Sequence, residues 1–184
     1  MRIFEILNED QGFTPPSKTI TGYKLFRLKN GNLYPLFIGK NKPTPAGSWI
    51  PAEHIATKGF AERPGWHAGV LPMAPHLRTK ENKIASDRVW AEVELPADVD
   101  YQPQADASRT RDIRGEVPVN GFYRFKTNKM QGGAWIIGGA LKIVRVLTDD
   151  EVSAILTQAG YPEDAIAERH DSERQDSERQ DSEQ

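Results

Sequence analysis

The chain has 184 residues, with 24 lysines and arginines against 26 aspartates and glutamates, for a formal net charge of −2. That length suits one domain with an appendage, and no global basic bias marks a polyanionic partner. There is no cysteine, which excludes a disulfide framework, a thiolate zinc site, an iron–sulfur cluster and a cysteine nucleophile.

The first ten residues hold too short an apolar run and too many acids for a signal peptide. No stretch approaches the roughly 20 apolar residues of a membrane span. The expected location is the cytoplasm, with no membrane partner. Acidic and polar residues gather from Glu163 onward, which leaves the preceding body near neutral or slightly basic.

In chain order, Ile3–Leu7 reads as a short strand or terminal turn, and the Pro-rich stretch from Gln11 to Ser17 breaks regular structure. Tyr23–Leu28 reads as a strand, Asn30-Gly31 as a hairpin turn and Leu33–Ile38 as the returning strand, with Pro35 implying an edge or bulge. Trp49-Ile50 can form a short strand and Ala52–Phe60 a helical turn. The Pro- and Gly-rich stretch Arg63–Leu77 follows a specific, non-repetitive path, with a strand around Trp66–Val70 and a turn or short helix near Pro75–Leu77.

Val89–Leu95 is the clearest strand. Period-two alternation sets Val89, Ala91, Val93 and Leu95 on one face and Trp90, Glu92 and Glu94 on the other. Gln102–Glu116 lacks an apolar pattern, carries Arg109, Arg111 and Arg114, and reads as a long surface loop. Gly121–Thr127 is a strand with Phe122, Arg124 and Lys126 on one face and Tyr123 and Phe125 on the other. Ala134–Ile137 and Leu141–Leu147 read as a strand pair joined at Gly138-Gly139 by a tight hairpin.

Thr148-Asp149-Asp150-Glu151 matches a capping box. It opens a helix to about Gln158 that buries Val152, Ile155 and Leu156, and Gly160 stops it. A further short helix follows from Pro162 to Arg169. The repeated Asp-Ser-Glu-Arg-Gln tail has no apolar anchor to offset its ordering entropy. The expected organisation is an N-terminal segment (1–20), an α+β core domain (21–160), a short C-terminal helix (161–170) and a polar tail (171–184). The core is a single domain with a mainly antiparallel twisted sheet, short helices and a C-terminal helix.

His67 and His76 are the first candidates for chemistry. Two imidazoles near their ordinary pKa can deprotonate a ribose 2′-OH and protonate a leaving oxygen, as metal-independent RNA cleavage requires. Equally, either histidine can serve only a hydrogen bond in a Pro-rich loop. No metal site is expected, since the pair lacks helical i, i+4 spacing and has only Glu62 nearby. Tyr123, Arg124 and Lys126, with Asn128 and Lys129 just beyond, form a basic strand interleaved with rings, a pattern that can meet phosphates and stack on bases. The same pattern also fits a half-buried strand with solvated charges. Glu92 and Glu94 can divide acid and base roles, or simply face solvent. No phosphate-cradling loop, dinucleotide fingerprint or nucleophile elbow is present.

The succession Arg63-Pro64-Gly65-Trp66-His67-Ala68, Val89–Glu94, Gly121–Asn128 and Trp135–Leu147 resembles small uncharacterised domains of phage and mobile-element (polyvalent-type) proteins, over approximately residues 22–158. A more distant similarity is to the ADP-ribosyltransferase fold, with an early strand carrying Arg27 and a strand of the Val-Trp-Ala-Glu-Val-Glu-Leu type. That fold implies NAD as co-substrate and a late glutamate near Ala134-Trp135, where this chain has none. Glu92-Val93-Glu94 comes earlier than such a pair should.

The resulting expectation is an accessory protein, in the host cytoplasm if phage-encoded, that engages a nucleic acid or nucleotide. His67, His76 and Tyr123 are its candidate catalytic residues; Arg27, Arg63, Trp66, Arg124, Lys126 and Asn128 are its candidate binding residues. No cofactor is expected, unless NAD under the transferase alternative. A metal-independent nuclease and a non-catalytic protein-interaction module compete with it, and whether the protein is an enzyme stays open.

Overall fold

A computed structural model describes residues 13–53, 65–74, 85–107, 117–126 and 133–161. Its strands are β1 (Thr19–Lys29), β2 (Asn32–Pro35), β3 (Trp49–Pro51), β4 (Trp66–Gly69), β5 (Arg88–Pro96), β6 (Val99–Asp100), β7 (Gly121–Lys126), β8 (Ala134–Gly138) and β9 (Ala140–Val146). Two helices, α1 (Gln102–Ala107) and α2 (Asp149–Gln158), complete the described elements. The expected features at Ile3–Leu7, at 54–60, at Pro75–Leu77 and beyond Pro162 lie outside the described residues.

The strands form one sheet in the order β3-β9-β5-β1-β4-β8-β7-β6, with β2 also on β1. All pairings are antiparallel except β6 with β7. The fold is therefore the expected α+β domain with a mainly antiparallel sheet. At the β1–β2 turn, Asn30 has φ 50° and Gly31 φ 77°, the pair of positive values that a two-residue hairpin matched to strand twist requires. Pro35 ends β2, which pairs only with β1, so its missing donor leaves no gap in a ladder.

Gly138-Gly139 is not the expected hairpin. β8 pairs with β4 and β7, whereas β9 pairs with β3 and β5, and the two do not pair with each other. Neither glycine has the positive φ of a primed turn. What these positions need is closeness. A Cβ on Gly138 would lie 2.7 Å from a Leu95 methyl, and one on Gly139 1.9 Å from the Pro118 carbonyl oxygen. The single residue Gly139 joins strands that stand second and sixth in the sheet, so the sheet curls until they meet. Two bonds tie the same curl: the Trp66 indole N–H donates to the Ile50 carbonyl at 2.9 Å, and the Ala52 N–H donates to the Gly139 carbonyl at 2.8 Å.

Curling gives the sheet an inner face. Ala91, Val93 and Leu95 of β5 and Leu141 and Ile143 of β9 meet Phe26, Leu33, Ala68 and Ile136 in one buried cluster. Each of the larger side chains contributes about 1.5–3 kcal/mol on full burial, so this cluster dominates the described core. The alternation expected for Val89–Leu95 holds, because Ala91, Val93 and Leu95 are fully buried. Glu92 and Glu94, on the other face, pair with Arg145 (3.1 Å) and Lys142 (2.5 Å).

A second cluster lies on the outer face, where Val117, Tyr123 and Ile137 pack with Tyr101, Ala105 and Phe125. Ala105 belongs to α1, so the expected 102–116 loop begins as a short helix. It is seated when the Gln102 side chain accepts from the Arg124 N–H (2.8 Å) and donates to the Arg124 carbonyl (2.9 Å). Residues 108–116 lie outside the described residues. The α2 cap forms as expected, with both arms of the box present. Leu156 is buried against Met73, with Leu71, Val152 and Tyr161 around them.

Candidate functional site

Strand alternation separates the predicted site residues into two groups. On β7, Phe122 packs against the inner cluster, while Tyr123 and Phe125 belong to the outer one. The Arg124 guanidinium lies over the Phe122 ring, 5.4 Å from its centroid, which places it on the inner-face side with Lys126 two residues on. Both are exposed. Register continues that face across the sheet: Arg124 stands opposite Ile136, and Ile136 opposite Ala68. Trp66, two residues before Ala68, packs on the inner cluster as well.

His67 points the other way. Its ring meets Phe125 and Trp135 edge-on, with centroids 6.4 and 6.3 Å away. Tyr123 is 1% exposed, held between Val117 and Ile137 and against the Tyr101 ring at 6.4 Å. A hydroxyl at that depth is a poor partner for an external substrate. The structure thus groups Trp66, Arg124 and Lys126 on one face and places His67 and Tyr123 on the opposite one. His76, Arg63 and Asn128 lie outside the described residues.

Arg27 is engaged elsewhere, near the β1–β2 hairpin. Its guanidinium lies 5.8 Å from the Tyr34 ring centroid and donates to the Lys40 carbonyl at 3.0 Å. It stands four residues along β1 from Tyr23, the residue opposite Glu92, a separation of about 13 Å at the usual strand rise. Glu92 is instead engaged by Arg145, which also pairs with Glu151 of α2. Hydrogen bonds, first from the Thr148 N–H and then from Arg145, hold the Glu151 carboxyl below its ordinary pKa. Burial, reinforced by Glu92, raises the Tyr23 phenol. This acid–base network braces β5, β9 and α2 on the outer face.

One functional group escapes the sequence reading. Lys24 lies in phase with Phe26 on β1, so its side chain enters the inner face. Its ammonium sits 5.9 Å from the Phe26 centroid and 5.7 Å from the Trp66 centroid. It donates to the His67 carbonyl at 2.8 Å. Burial lowers its pKa from 10.5 to about 8, because a charged amine loses its water there and no carboxylate among the described residues replaces it. The available signal was a lysine in register with an apolar face.

Among the described residues, no group of three His, Asp or Glu side chains could hold a metal ion, and no helix is long and apolar enough to cross a membrane. No family model, no curated protein and no solved structure matches this chain.

Proposed function

We propose that this protein is a non-catalytic accessory module that binds single-stranded nucleic acid, of the phage or mobile-element kind its sequence resembles. One observation carries the reading. Arg124 and Lys126 are exposed beside Phe122 on the face that also holds Trp66, whereas His67 and Tyr123 face away. The described binding candidates Trp66, Arg124 and Lys126 share the face with exposed charge, while Tyr123 on the other face is buried.

The chemistry suits a flexible polyanion. Lys126 offers a point charge to a phosphate, and Arg124 offers both a charge and a flat guanidinium face on which a base can stack. Such sites discriminate weakly by sequence and strongly by salt, because each neutralised phosphate releases counterions. Gln102 fixes the β7 backbone through both amide bonds to Arg124, so the strand is held in place before a ligand arrives.

The test is binding of a fluorescently labelled single-stranded oligonucleotide, followed by anisotropy over a salt series. Affinity should fall steadily as salt rises, and Arg124→Ala should lower the salt slope by about one unit. Affinity that ignores salt, or that Arg124→Ala leaves unchanged, would overturn the reading.

A further inference from the structure

The sequence contains two Asn-Gly steps, Asn30-Gly31 and Asn120-Gly121, and the fold treats them oppositely. Asn30-Gly31 is the tip of the β1–β2 hairpin. Both residues are exposed, with φ 50° and 77°, and a Cβ placed on Gly31 would meet nothing within 4 Å. The Asn30 carbonyl takes one long bond, 3.4 Å, from the Asn32 side chain. Asn120-Gly121 is tied down on both sides. The Gly121 N–H donates to the Pro118 carbonyl at 2.8 Å, the Gly121 carbonyl accepts from the Gly139 N–H at 3.0 Å, and the Asn120 carbonyl accepts from the Val99 N–H at 3.1 Å. Gly121 is buried, and a Cβ on it would lie 3.2 Å from Pro118.

We propose that Asn30 is a site of spontaneous covalent modification, closing to a succinimide with Gly31 and opening to aspartate or isoaspartate, while the fold protects Asn120 from the same reaction. The proposal does not depend on the role of the β7 surface. The Gly31 nitrogen bonds to the Asn30 side-chain carbonyl carbon, an approach that no Cβ on glycine obstructs. The bond from that carbon to the amide nitrogen breaks, and the nitrogen leaves as ammonia with the Gly31 amide hydrogen. Water then adds across one of the two imide C–N bonds. Breaking the bond to the side-chain carbonyl gives aspartate on an ordinary main chain; breaking the bond to the main-chain carbonyl gives isoaspartate. Ring closure must first turn the asparagine peptide out of its folded geometry. At Asn30 that opens only the end of a hairpin, whereas at Asn120 it breaks three main-chain bonds, so local opening favours Asn30. The isoaspartyl product adds one main-chain carbon to a two-residue turn closed by Lys29 and Asn32. Such a turn has no slack, so β2 loses register beside Leu33, a member of the inner cluster.

The full chain would be aged in warm, mildly alkaline buffer prepared in oxygen-18 water, with and without urea. Peptide mass spectrometry then follows conversion at each asparagine, the heavy oxygen marking products formed during ageing rather than digestion. In the native protein Asn30 should convert at least about tenfold faster than Asn120, and in urea the two rates should fall within about threefold of each other. Comparable rates in the native protein would overturn the proposal. So would a tenfold preference that survives in urea, since its cause would then lie in the neighbouring residues and not in the fold. Protein enriched in the isoaspartyl form should exchange its β2 amide hydrogens faster than the Asn30→Asp variant, which carries the same charge on an ordinary main chain. Equal exchange would overturn the effect on register.

Discussion

The Lys24 ammonium donates to the main-chain carbonyl of His67 at 2.8 Å, across the point where β1 and β4 part. The backbone of His67 thus serves the inner face while its ring serves the outer one. The ammonium bridges the two strands there, and its burial carries a desolvation cost.

Replacing Lys24 with methionine should therefore stabilise the protein near pH 7. The gain from removing the desolvated charge is partly offset by the lost bond to His67, which leaves roughly 1–2 kcal/mol. Urea denaturation of both proteins measures it. The pH dependence follows from the lowered pKa. Below about pH 8 the amine is protonated in both folded and unfolded chains, and the full cost is present. From pH 8 towards 10 the native amine is neutral while the unfolded chain still binds the proton, so the parent's stability rises relative to the variant's. The gap between the two proteins should narrow across that window. A constant gap contradicts a lowered native pKa.

The corner at Gly139 should tolerate no side chain. A Cβ there would meet the Pro118 carbonyl at 1.9 Å and the Val119 Cα at 2.7 Å, both backbone atoms that cannot rotate away. Gly139→Ala should cost more than about 3 kcal/mol or prevent folding. A thermal melt compared with that of Gly133→Ala, where a Cβ meets nothing within 4 Å but φ is 78°, separates steric overlap from the milder strain of positive φ. Similar losses at the two positions would contradict the corner.

That corner also shows what the sequence could and could not reveal. Asn30-Gly31 was legible because a primed turn is a local demand that those two residues announce. Gly138-Gly139 looked equally local. Its cause is instead long-range: contact with Leu95 and with Pro118, which no window of the sequence displays. Alternation located the faces of Val89–Leu95 and of β7 correctly. Which face turns inward depended on the curl of the sheet, and so the separation of His67 from Arg124 could not be read in advance. Lys24 escaped notice for a related reason, since its neighbours Trp66 and His67 arrive from β4, more than forty positions along the chain.

The α2 cap provides a local check. Thr148→Ala removes the hydroxyl that accepts from the Glu151 N–H and should destabilise the protein by about 1 kcal/mol in urea. Thr148→Ser should recover most of the loss. Glu151 is held ionised by its bonds to the Thr148 N–H and Arg145. Its contribution is therefore present above the ordinary carboxylate range and is lost as pH falls through its lowered native pKa. Glu151→Gln should flatten that acid limb in a pH series of melting temperatures. An unchanged acid limb would show that the carboxylate is not held this way.

The most direct test of the functional account compares two variants in one salt-controlled titration of a labelled single-stranded oligonucleotide. The double variant Arg124→Ala/Lys126→Ala removes the charges on one face, and His67→Ala removes the ring on the other. The account predicts at least tenfold weaker binding for the double variant and binding within twofold of the parent for His67→Ala. Equal weakening by both, or an effect of His67→Ala alone, would contradict it and return the outer face to consideration as the site.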